Sequence, residues 1–189
     1  MARLGRAGCD QRGFTLAELI VVSALIMVGI AVAIPVTQGM VDRAKNDSAL
    51  SVTAAFIHAA RDRAVAERRN IEITYVAPDQ LFAHRVEVPS GVKTQVGFMK
   101  LEGGQEVRTF SGVPDTPDLF GNGSPFQFTG TGPWSFTSDG SLIDSQGDVA
   151  NGTVFFGVPN KPESARAVSI FGVTGMLHSW KWRNTQWSE

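Results

Sequence analysis

The chain has 189 residues, of which 43% are hydrophobic and 19% are charged. This length allows one or two domains, and the composition is ordinary for a folded protein. The formal net charge of −1 gives no argument for wholesale binding to nucleic acid, which would need a clear excess of basic side chains.

The first element in the chain is an apolar segment close to the N-terminus. It follows Gly13-Phe14-Thr15-Leu16-Ala17-Glu18 and covers residues 19–36, interrupted only by one serine, one glycine and Pro35. A bilayer core needs about 17–25 apolar residues, so this run is long enough to span a membrane. Residues 1–13 contain three arginines against the single acid Asp10, and the positive-inside rule therefore keeps them in the cytoplasm and sends the C-terminal part across. These arginines are Arg3, Arg6 and Arg12.

Glu18 needs a partner in such a setting, because a charge within a membrane span costs about 2.5–3.5 kcal/mol even on a lenient scale. The simplest alternative is an acid that only favours the positive end of the helix dipole. An ordinary secretory signal peptide would also have these basic and apolar regions, with cleavage after Ala31-Val32-Ala33. That interpretation leaves Glu18 unexplained, and its product would begin at Ile34, directly before Pro35.

The string Gly13-Phe14-Thr15-Leu16 with Glu18 resembles the processing site of type IV prepilins and pseudopilins. The resemblance implies that a prepilin peptidase cuts between Gly13 and Phe14 and methylates the new amino terminus of Phe14. It also implies that Glu18 pairs with the terminal amine of a neighbouring subunit. This fits the physics, because an ammonium and a carboxylate in lipid offset each other's burial cost only by meeting. Pro35 matches a proline that commonly interrupts the pilin helix, where it removes one backbone hydrogen bond.

Cleavage after Gly13 leaves a mature chain of 176 residues with 14 basic and 17 acidic side chains, a net charge of −3. The single cysteine, Cys9, lies in the leader, so the mature chain has no disulfide and its exported part depends on core packing. A lipid anchor at Cys9 is discounted because this residue precedes the apolar run.

Helix-forming residues continue from residue 41 to residue 69 without a proline. Small and apolar side chains recur there at three- and four-residue spacing, which predicts an amphipathic helix with one buried stripe rather than a coiled coil. We therefore predict one helix over residues 14–67, with 14–36 in the membrane or filament core and 37–69 as its amphipathic continuation. The stripe comprises Ala49, Val52, Phe56, Ala60 and Ala64, and the opposite side Arg43, Lys45, Asp47, Arg61, Asp62, Glu67 and Arg68.

From residue 70 the sequence changes to short alternating segments separated by turn residues such as Gly103-Gly104 and Asp139-Gly140. This pattern predicts an antiparallel β-rich head over residues 70–189 without a crossover helix, and an α+β fold class for the chain. Residues 113–124, rich in proline and glycine, are predicted to form a long surface loop that is either functional or mobile. The predicted strands cover residues 71–75, 81–88, 95–101, 106–110, 125–129, 134–137, 142–143, 153–158, 167–171 and 176–182.

Parts of this head resemble GspH/FimT-type minor pseudopilins. The resemblance rests on residues 134–140, on residues 166–170 and on Gly172-Val173-Thr174-Gly175. It implies a β-sandwich-like head packed on the C-terminal half of the long helix. Met176 is a departure, because such heads often carry a basic residue after the final glycine turn, and any function that depends on that charge is in doubt.

Enzymatic and metal sites find little support in the sequence. The three histidines have no metal-ligand spacing and no cysteine partner in the mature chain, and motifs for nucleophilic or nucleotide chemistry are absent. We therefore expect no enzyme activity, no cofactor and no metal site. The histidines are His58, His84 and His178.

A calcium loop is the one metal site that the sequence suggests, because Asp139, Asp144, Asp148 and Asn151 fall within 13 residues. Calcium requires several oxygen ligands, but the order of these residues does not fit the EF-hand pattern. Hairpin turns use the same residue types, which favours turns over a calcium site.

The C-terminal residues Trp180, Lys181, Trp182 and Arg183 interleave aromatic rings with cations. Bases stack on aromatic faces while cations meet phosphates, so this is the one stretch that suggests contact with DNA. Two cations are too few to drive binding by counterion release. The favoured alternative is a final strand with Lys181 on one face and the two tryptophans on the other.

Together these features predict a non-enzymatic minor pilin or pseudopilin, a subunit of a type II secretion pseudopilus or a type IV pilus. It would cross the inner membrane once, with a cytoplasmic N-terminus and a periplasmic head, before entering the filament. The implied partners are prepilin peptidase, other pilins, an inner-membrane assembly platform and membrane lipid. Two alternatives remain open: a DNA-binding minor pilin for DNA uptake, and an exported β-domain protein released by ordinary signal peptidase.

Overall fold

The computed structural model describes residues 15–183 and 185–189, without the side chains of residues 32–36 and 127. The chain divides into two compact units, Met1–Val41 and Asp42–Glu189. The first unit contains the start of the long helix. The second unit contains the rest of this helix and all the described strands.

Helix α1 covers Leu16–Glu67, 52 residues in all. Its C-terminus shows why it stops there. Arg68 adopts a left-handed conformation with φ of 51°, and the backbone N–H of Arg69 donates to the carbonyl of Ala64 at 3.3 Å. This 6→1 hydrogen bond is the Schellman arrangement, which satisfies a carbonyl that the helix itself leaves free. The predicted end of the helix at residue 67 agrees with this boundary.

The buried stripe of α1 differs from the predicted one. Ala49, Ala60 and Ala64 are buried as expected, but Val52 is 49% exposed and Phe56 is only partly buried against the core. The buried face is instead centred one position further along the helix, where Leu50, Thr53 and Ile57 are each at most 2% exposed. The residues that complete the observed stripe are Asn46, Leu50, Thr53 and Ile57.

Within the described residues eleven strands follow the helix, and all ten predicted strands are among them, with ends that differ by at most three residues. The strand missed by the sequence analysis is the last one, which forms a short hairpin with its predecessor. A 3-10 turn at Pro162–Ser164 was also not predicted. The strands are β1 Ile71–Val76, β2 Gln80–Val86, β3 Lys93–Lys100, β4 Glu106–Val107, β5 Phe126–Phe128, β6 Trp134–Phe136, β7 Leu142–Ile143, β8 Gly152–Gly157, β9 Arg166–Phe171, β10 Met176–Arg183 and β11 Gln186–Ser188.

The strands form two antiparallel sheets. The first has the order β3-β2-β1-β6-β7, and the second has the order β11-β10-β9-β8-β4, with β5 also paired to β8. A register shift between Ala83 and His84 marks a bulge in the β2–β3 pair. The α+β prediction, with a long N-terminal helix and an antiparallel head, is therefore confirmed.

One hydrophobic core joins residues 49–64 of α1 to both sheets. Its largest fully buried side chains include Phe128, Phe136, Phe156 and Ile57. Gly152 is required in this core, because a Cβ at that position would lie 1.8 Å from the Phe128 ring. With no disulfide to help, this packing is the main source of stability in the head.

Candidate assembly surfaces

The N-terminus of α1 is closed by a reciprocal pair of hydrogen bonds between Thr15 and Glu18. The Thr15 Oγ1 accepts from the backbone N–H of Glu18 at 3.2 Å. In return, the Glu18 Oε2 accepts from the backbone N–H of Thr15 at 3.1 Å and from its hydroxyl at 3.3 Å. This is a capping box with the acid at the third helical position. Glu18 is solvent-exposed there, and Gly13 and Phe14 lie outside the described residues.

The helix that follows is apolar around its whole circumference. Ten large hydrophobic side chains between Leu16 and Ile30 are each 48–79% exposed. A helix that is hydrophobic on every side is stable only when something covers it, either other protein or lipid. Ser23 does not interrupt this surface, because its hydroxyl donates to the carbonyl of Ile20 at 2.9 Å.

No helix within the described residues is long and apolar enough to cross a bilayer.

Helix α1 continues through positions 32–36. Their side chains, including Pro35 and the alternative cleavage position Ala33, lie outside the described part of the chain, as does residue 14. Part of the predicted membrane or filament-core segment 14–36 therefore lies outside the described residues and side chains.

Two charges predicted on the outer side of α1 instead attach the helix to the head. Asp47 accepts from Nε and Nη2 of Arg166 at 3.1 and 3.0 Å. The Arg166 side chain is only 5% exposed and also donates to the carbonyl of Ala165 at 2.9 Å. This ion pair connects α1 with the start of β9. A more exposed pair, Lys161 with Asp42 at 3.3 Å, lies nearby.

Arg61 makes a second attachment near the C-terminal end of α1. Its Nε donates to the carbonyl of Gly140 at 3.1 Å, and its Nη2 donates to the carbonyl of Thr174 at 3.0 Å. A Cβ at Gly175 would lie 2.4 Å from Arg61 Nε, so the final glycine turn makes room for this guanidinium. The charge is therefore used to fix two turns against the helix rather than to face solvent.

The outer face of the second sheet is covered by the loop at residues 113–124. The carboxylate of Asp118 accepts from Nε1 of Trp180 at 2.9 Å and lies 3.3 Å from Nδ1 of His178. Thr116 is fully buried, and its hydroxyl is 3.3 Å from that of Ser169. The loop is thus fastened across β9 and β10 by polar contacts, which makes it an ordered part of the head.

The C-terminal tryptophans belong mainly to this packing. Trp182 is 7% exposed and packs against Trp187 with ring centroids 5.3 Å apart, while Trp180 donates to Asp118 and Ser169. The burial of Trp182 leaves its ring unavailable for stacking on a base. Lys181 is partly exposed and Arg183 is exposed, so contact with DNA remains a prediction for these two cations.

In the turns at residues 137–151, aspartate carboxylates accept hydrogen bonds from backbone N–H groups. Asp144 accepts from the backbone N–H groups of Gln146 and Asp148 at 2.8 and 3.0 Å. Partial burial raises the pKa of Asp144, but these N–H donors outweigh it and leave the pKa below its ordinary value. Oxygens that already accept from N–H groups are poor ligands for a cation, which argues against calcium here. Asn151 is used in the same way, since its Oδ1 accepts from the N–H of Gly172 at 2.7 Å.

Asp139 closes a neighbouring turn. Its carboxylate accepts from the hydroxyl of Thr137, then from the N–H of Ser141 at 3.1 Å and its hydroxyl at 2.8 Å. These bonds lower the pKa of Asp139 to about 2, with the Thr137 hydroxyl as the largest cause.

The three histidines are dispersed: His58 is exposed on α1, His84 lies in β2 and His178 in β10. The described residues contain no cluster of three or more His, Cys, Asp or Glu that could hold a metal ion.

A groove of about 320 Å³ lies between α1 and the end of β3. Its floor is apolar and includes Ala49, Val52 and Met99, and its rim carries Lys45 and Lys100. One acid, Glu102, also borders it. The groove explains why Val52, predicted to lie in the core, is exposed.

Comparison with known proteins agrees with the N-terminal assignment. The family described as "Prokaryotic N-terminal methylation motif" matches residues 9–34. Among solved structures, the chain is similar to the minor pseudopilin EpsH from the type 2 secretion system of Vibrio cholerae, with 9% sequence identity and a TM-score of 0.49 over 72% of this chain and 97% of that one. No curated protein matches the sequence. The chain therefore carries the N-terminal methylation motif expected from its resemblance to type IV prepilins and pseudopilins.

Proposed function

We propose that this protein is a minor pilin or pseudopilin, a structural subunit of a type II secretion pseudopilus or a type IV pilus. The observation that carries the proposal is the methylation motif at residues 9–34, which leads into a helix whose apolar side chains are exposed on every side. Such a surface requires lipid before assembly and neighbouring helices afterwards. The chain would be anchored in the inner membrane, with residues 1–13 in the cytoplasm and the head in the periplasm.

Processing by prepilin peptidase separates residues 1–13 from the mature chain and makes Phe14 the new terminus. The test compares the chain in membranes with and without this peptidase, using Gly13→Ala as the cleavage variant and Gly5→Ala as the matched leader control. We expect the wild type and Gly5→Ala to shorten only with the peptidase, and Gly13→Ala to stay uncut. Shortening that is independent of the peptidase would instead indicate ordinary signal peptidase.

Glu18 acts after processing by pairing with the amino terminus of a neighbouring subunit. Its capping bonds to Thr15 support this role, because they hold the carboxylate near the new terminus while leaving it solvent-exposed. Among apolar neighbours, an unpaired carboxylate and an unpaired ammonium would each carry a large desolvation cost, so their pairing both attracts and aligns the subunits.

The capping box gives this role a sharp test. Glutamine serves as well as glutamate at the third position of a capping box, so Glu18→Gln keeps the cap but removes the charge, whereas Glu18→Leu removes both. We expect both variants to be processed normally and both to be lost from sheared filaments. Normal incorporation of Glu18→Gln, with loss of Glu18→Leu alone, would show that Glu18 only caps the helix.

A further inference from the structure

The chain contains two Asn-Gly pairs, Asn122-Gly123 in the loop at residues 113–124 and Asn151-Gly152 at the start of β8. Asparagine is one of the residues that limit the chemical lifetime of a protein. The backbone nitrogen of the next residue can attack the side-chain carbonyl carbon, and glycine hinders this attack least because it has no Cβ. The surroundings of each pair in the folded head decide whether it reacts.

The folded head protects Asn151-Gly152. The Oδ1 of Asn151 accepts from the N–H of Gly172 at 2.7 Å, and its own N–H donates to the hydroxyl of Thr129 at 2.9 Å. Gly152 is buried and is paired on both sides, with β5 and with β9. Attack by the Gly152 nitrogen therefore requires β8 to open first, and the opening of a core strand costs up to the global free energy of unfolding.

The surroundings of Asn122-Gly123 are the opposite. Both residues are exposed, and a Cβ at Gly123 would have no atom within 4 Å. Gly123 has a φ of 88°, a conformation that glycine adopts without strain. No backbone carbonyl in the described part of the chain accepts from the Gly123 N–H. Water can therefore reach this nitrogen and remove its proton, which makes it a nucleophile.

The side chain of Asn122 is folded back over its own backbone. Its Oδ1 accepts from the N–H of Ser124 at 3.2 Å, which is an Asx turn. The ring that this hydrogen bond closes contains both reacting atoms, Cγ of Asn122 and the backbone nitrogen of Gly123. The Ser124 N–H also points at the oxygen that becomes negative during the attack, and a donor already in place at such an oxygen stabilises the transition state.

We propose that Asn122 is a site of spontaneous deamidation in the folded head. The Gly123 nitrogen gives its proton to solvent and forms a bond to Cγ of Asn122. The bond from Cγ to Nδ2 then breaks, and Nδ2 takes up a proton and leaves as ammonia. Water opens the resulting five-membered succinimide at either carbonyl, which gives aspartate or isoaspartate at position 122. The reaction needs no oxidant, reductant or enzyme.

The product changes the loop in two ways. Either form adds one negative charge to a segment that already contains Asp115 and Asp118. Isoaspartate also adds a methylene to the main chain between two anchored positions. On one side the N–H of Gly121 donates to Asp115 at 2.8 Å, and on the other the carbonyl of Pro125 accepts from the N–H of Phe155 at 2.8 Å. We therefore expect isoaspartate to loosen the bond between Gly121 and Asp115. The reaction depends only on the folded head and not on assembly into a filament.

The test follows the full chain in detergent at mildly alkaline pH over several weeks. Digestion with pepsin in acid stops the reaction, and the aromatic residues at positions 126–136 allow the two Asn-Gly pairs to be recovered in separate peptides for mass spectrometry. We expect Asn122 to react at least about tenfold faster than Asn151, because Asn151 reacts only when β8 opens. In urea, which exposes both pairs, the two rates should become similar. An isoaspartate-specific methyltransferase should label the aged chain at position 122.

Two variants of Asn122 separate the chemistry from the fold. Glutamine keeps the amide but would have to form a six-membered ring, so Asn122→Gln should give no isoaspartate at this position and a thermal midpoint close to that of the wild type. Freshly prepared Asn122→Asp carries the new charge without the added methylene. Its hydrogen exchange at Gly121 should therefore match that of the fresh wild type, whereas exchange in the aged isoaspartate fraction should be faster.

Equal rates at Asn122 and Asn151 in the folded chain would overturn the proposal. Aspartate as the sole product would also overturn it, because direct hydrolysis of the amide forms no succinimide and hence no isoaspartate. So would a rate at Asn122 that rises about tenfold or more in urea, since the fold would then protect this residue as well. Unchanged exchange at Gly121 in the isoaspartate fraction would overturn the expected effect on the loop.

Discussion

The ion pair between Asp47 and Arg166 makes a quantitative prediction about how α1 is attached to the head. The Arg166 side chain is 5% exposed, and its guanidinium donates two hydrogen bonds to one carboxylate oxygen of Asp47, at 3.0 and 3.1 Å. Removing one partner of a buried pair costs about 3–5 kcal/mol, because the other charge stays buried without compensation. Asp47 is 40% exposed, so water screens part of this effect, and we expect Asp47→Ala to cost about 2–3 kcal/mol.

Urea unfolding of the full chain in detergent, followed by tryptophan fluorescence, measures this cost. With a slope of about 2 kcal/mol per molar urea, the midpoint should fall by about 1–1.5 M. Asp42→Ala is the matched control, because its exposed pair with Lys161 should contribute less than about 1 kcal/mol. The double variant Asp47→Ala with Arg166→Met should recover part of the loss, since it removes the unpaired buried cation. Equal midpoints for Asp47→Ala and Asp42→Ala would refute the argument.

Three further predictions concern the head. Asp144→Ala should lower the thermal midpoint clearly more than Asp148→Ala, because only Asp144 accepts from several backbone N–H groups; equal effects would contradict this role. Asp139 has a pKa of about 2 in the folded state against an ordinary 3.8, so its stabilising effect should be complete above about pH 3.8 and lost as the pH falls towards 2. The difference in thermal midpoint between wild type and Asp139→Asn should therefore shrink over that range, and a constant difference would count against it. If the head binds DNA, Lys181→Ala with Arg183→Ala should abolish a salt-sensitive gel shift, and a shift that persists in the double variant would exclude these cations.

The local features of this fold could be predicted from sequence because they depend on neighbouring residues. Turn residues such as Asp139 and Gly140 mark the strand ends wherever they occur, and the helix boundary at residue 67 follows from the change in apolar period. The same holds for the motif at residues 13–18. Its chemistry is carried by adjacent positions, so no knowledge of the tertiary structure was needed to find it.

The attachments between helix and head could not be predicted in this way. Asp47 and Arg166 are separated by 119 positions, and each in isolation is an ordinary surface charge in an amphipathic pattern. Val52 has the spacing of a core residue, but the groove beside β3 leaves it exposed. Periodicity fixes which residues share a helix face, whereas the angle at which that face meets the sheets depends on long-range packing.

The contacts of the loop at residues 113–124 also depend on residues that are distant in the sequence. Its prolines and glycines predict a surface loop, but its fastening by Asp118 to Trp180 requires a partner 62 positions away. Alternation in β10 did place Trp180 and Trp182 on one face. That the face is covered by this loop, with β11 alongside it, became clear only from the structure.

If this chain is processed as a prepilin, its first residue in the membrane is Phe14, and the identity of that residue can be measured. The measurement is the intact mass and N-terminal sequence of the protein recovered from membranes of cells that contain prepilin peptidase. We expect a chain that begins at N-methylated Phe14. A chain that begins at Ile34, or one that retains Met1–Gly13, would contradict it and with it the assembly role of Glu18.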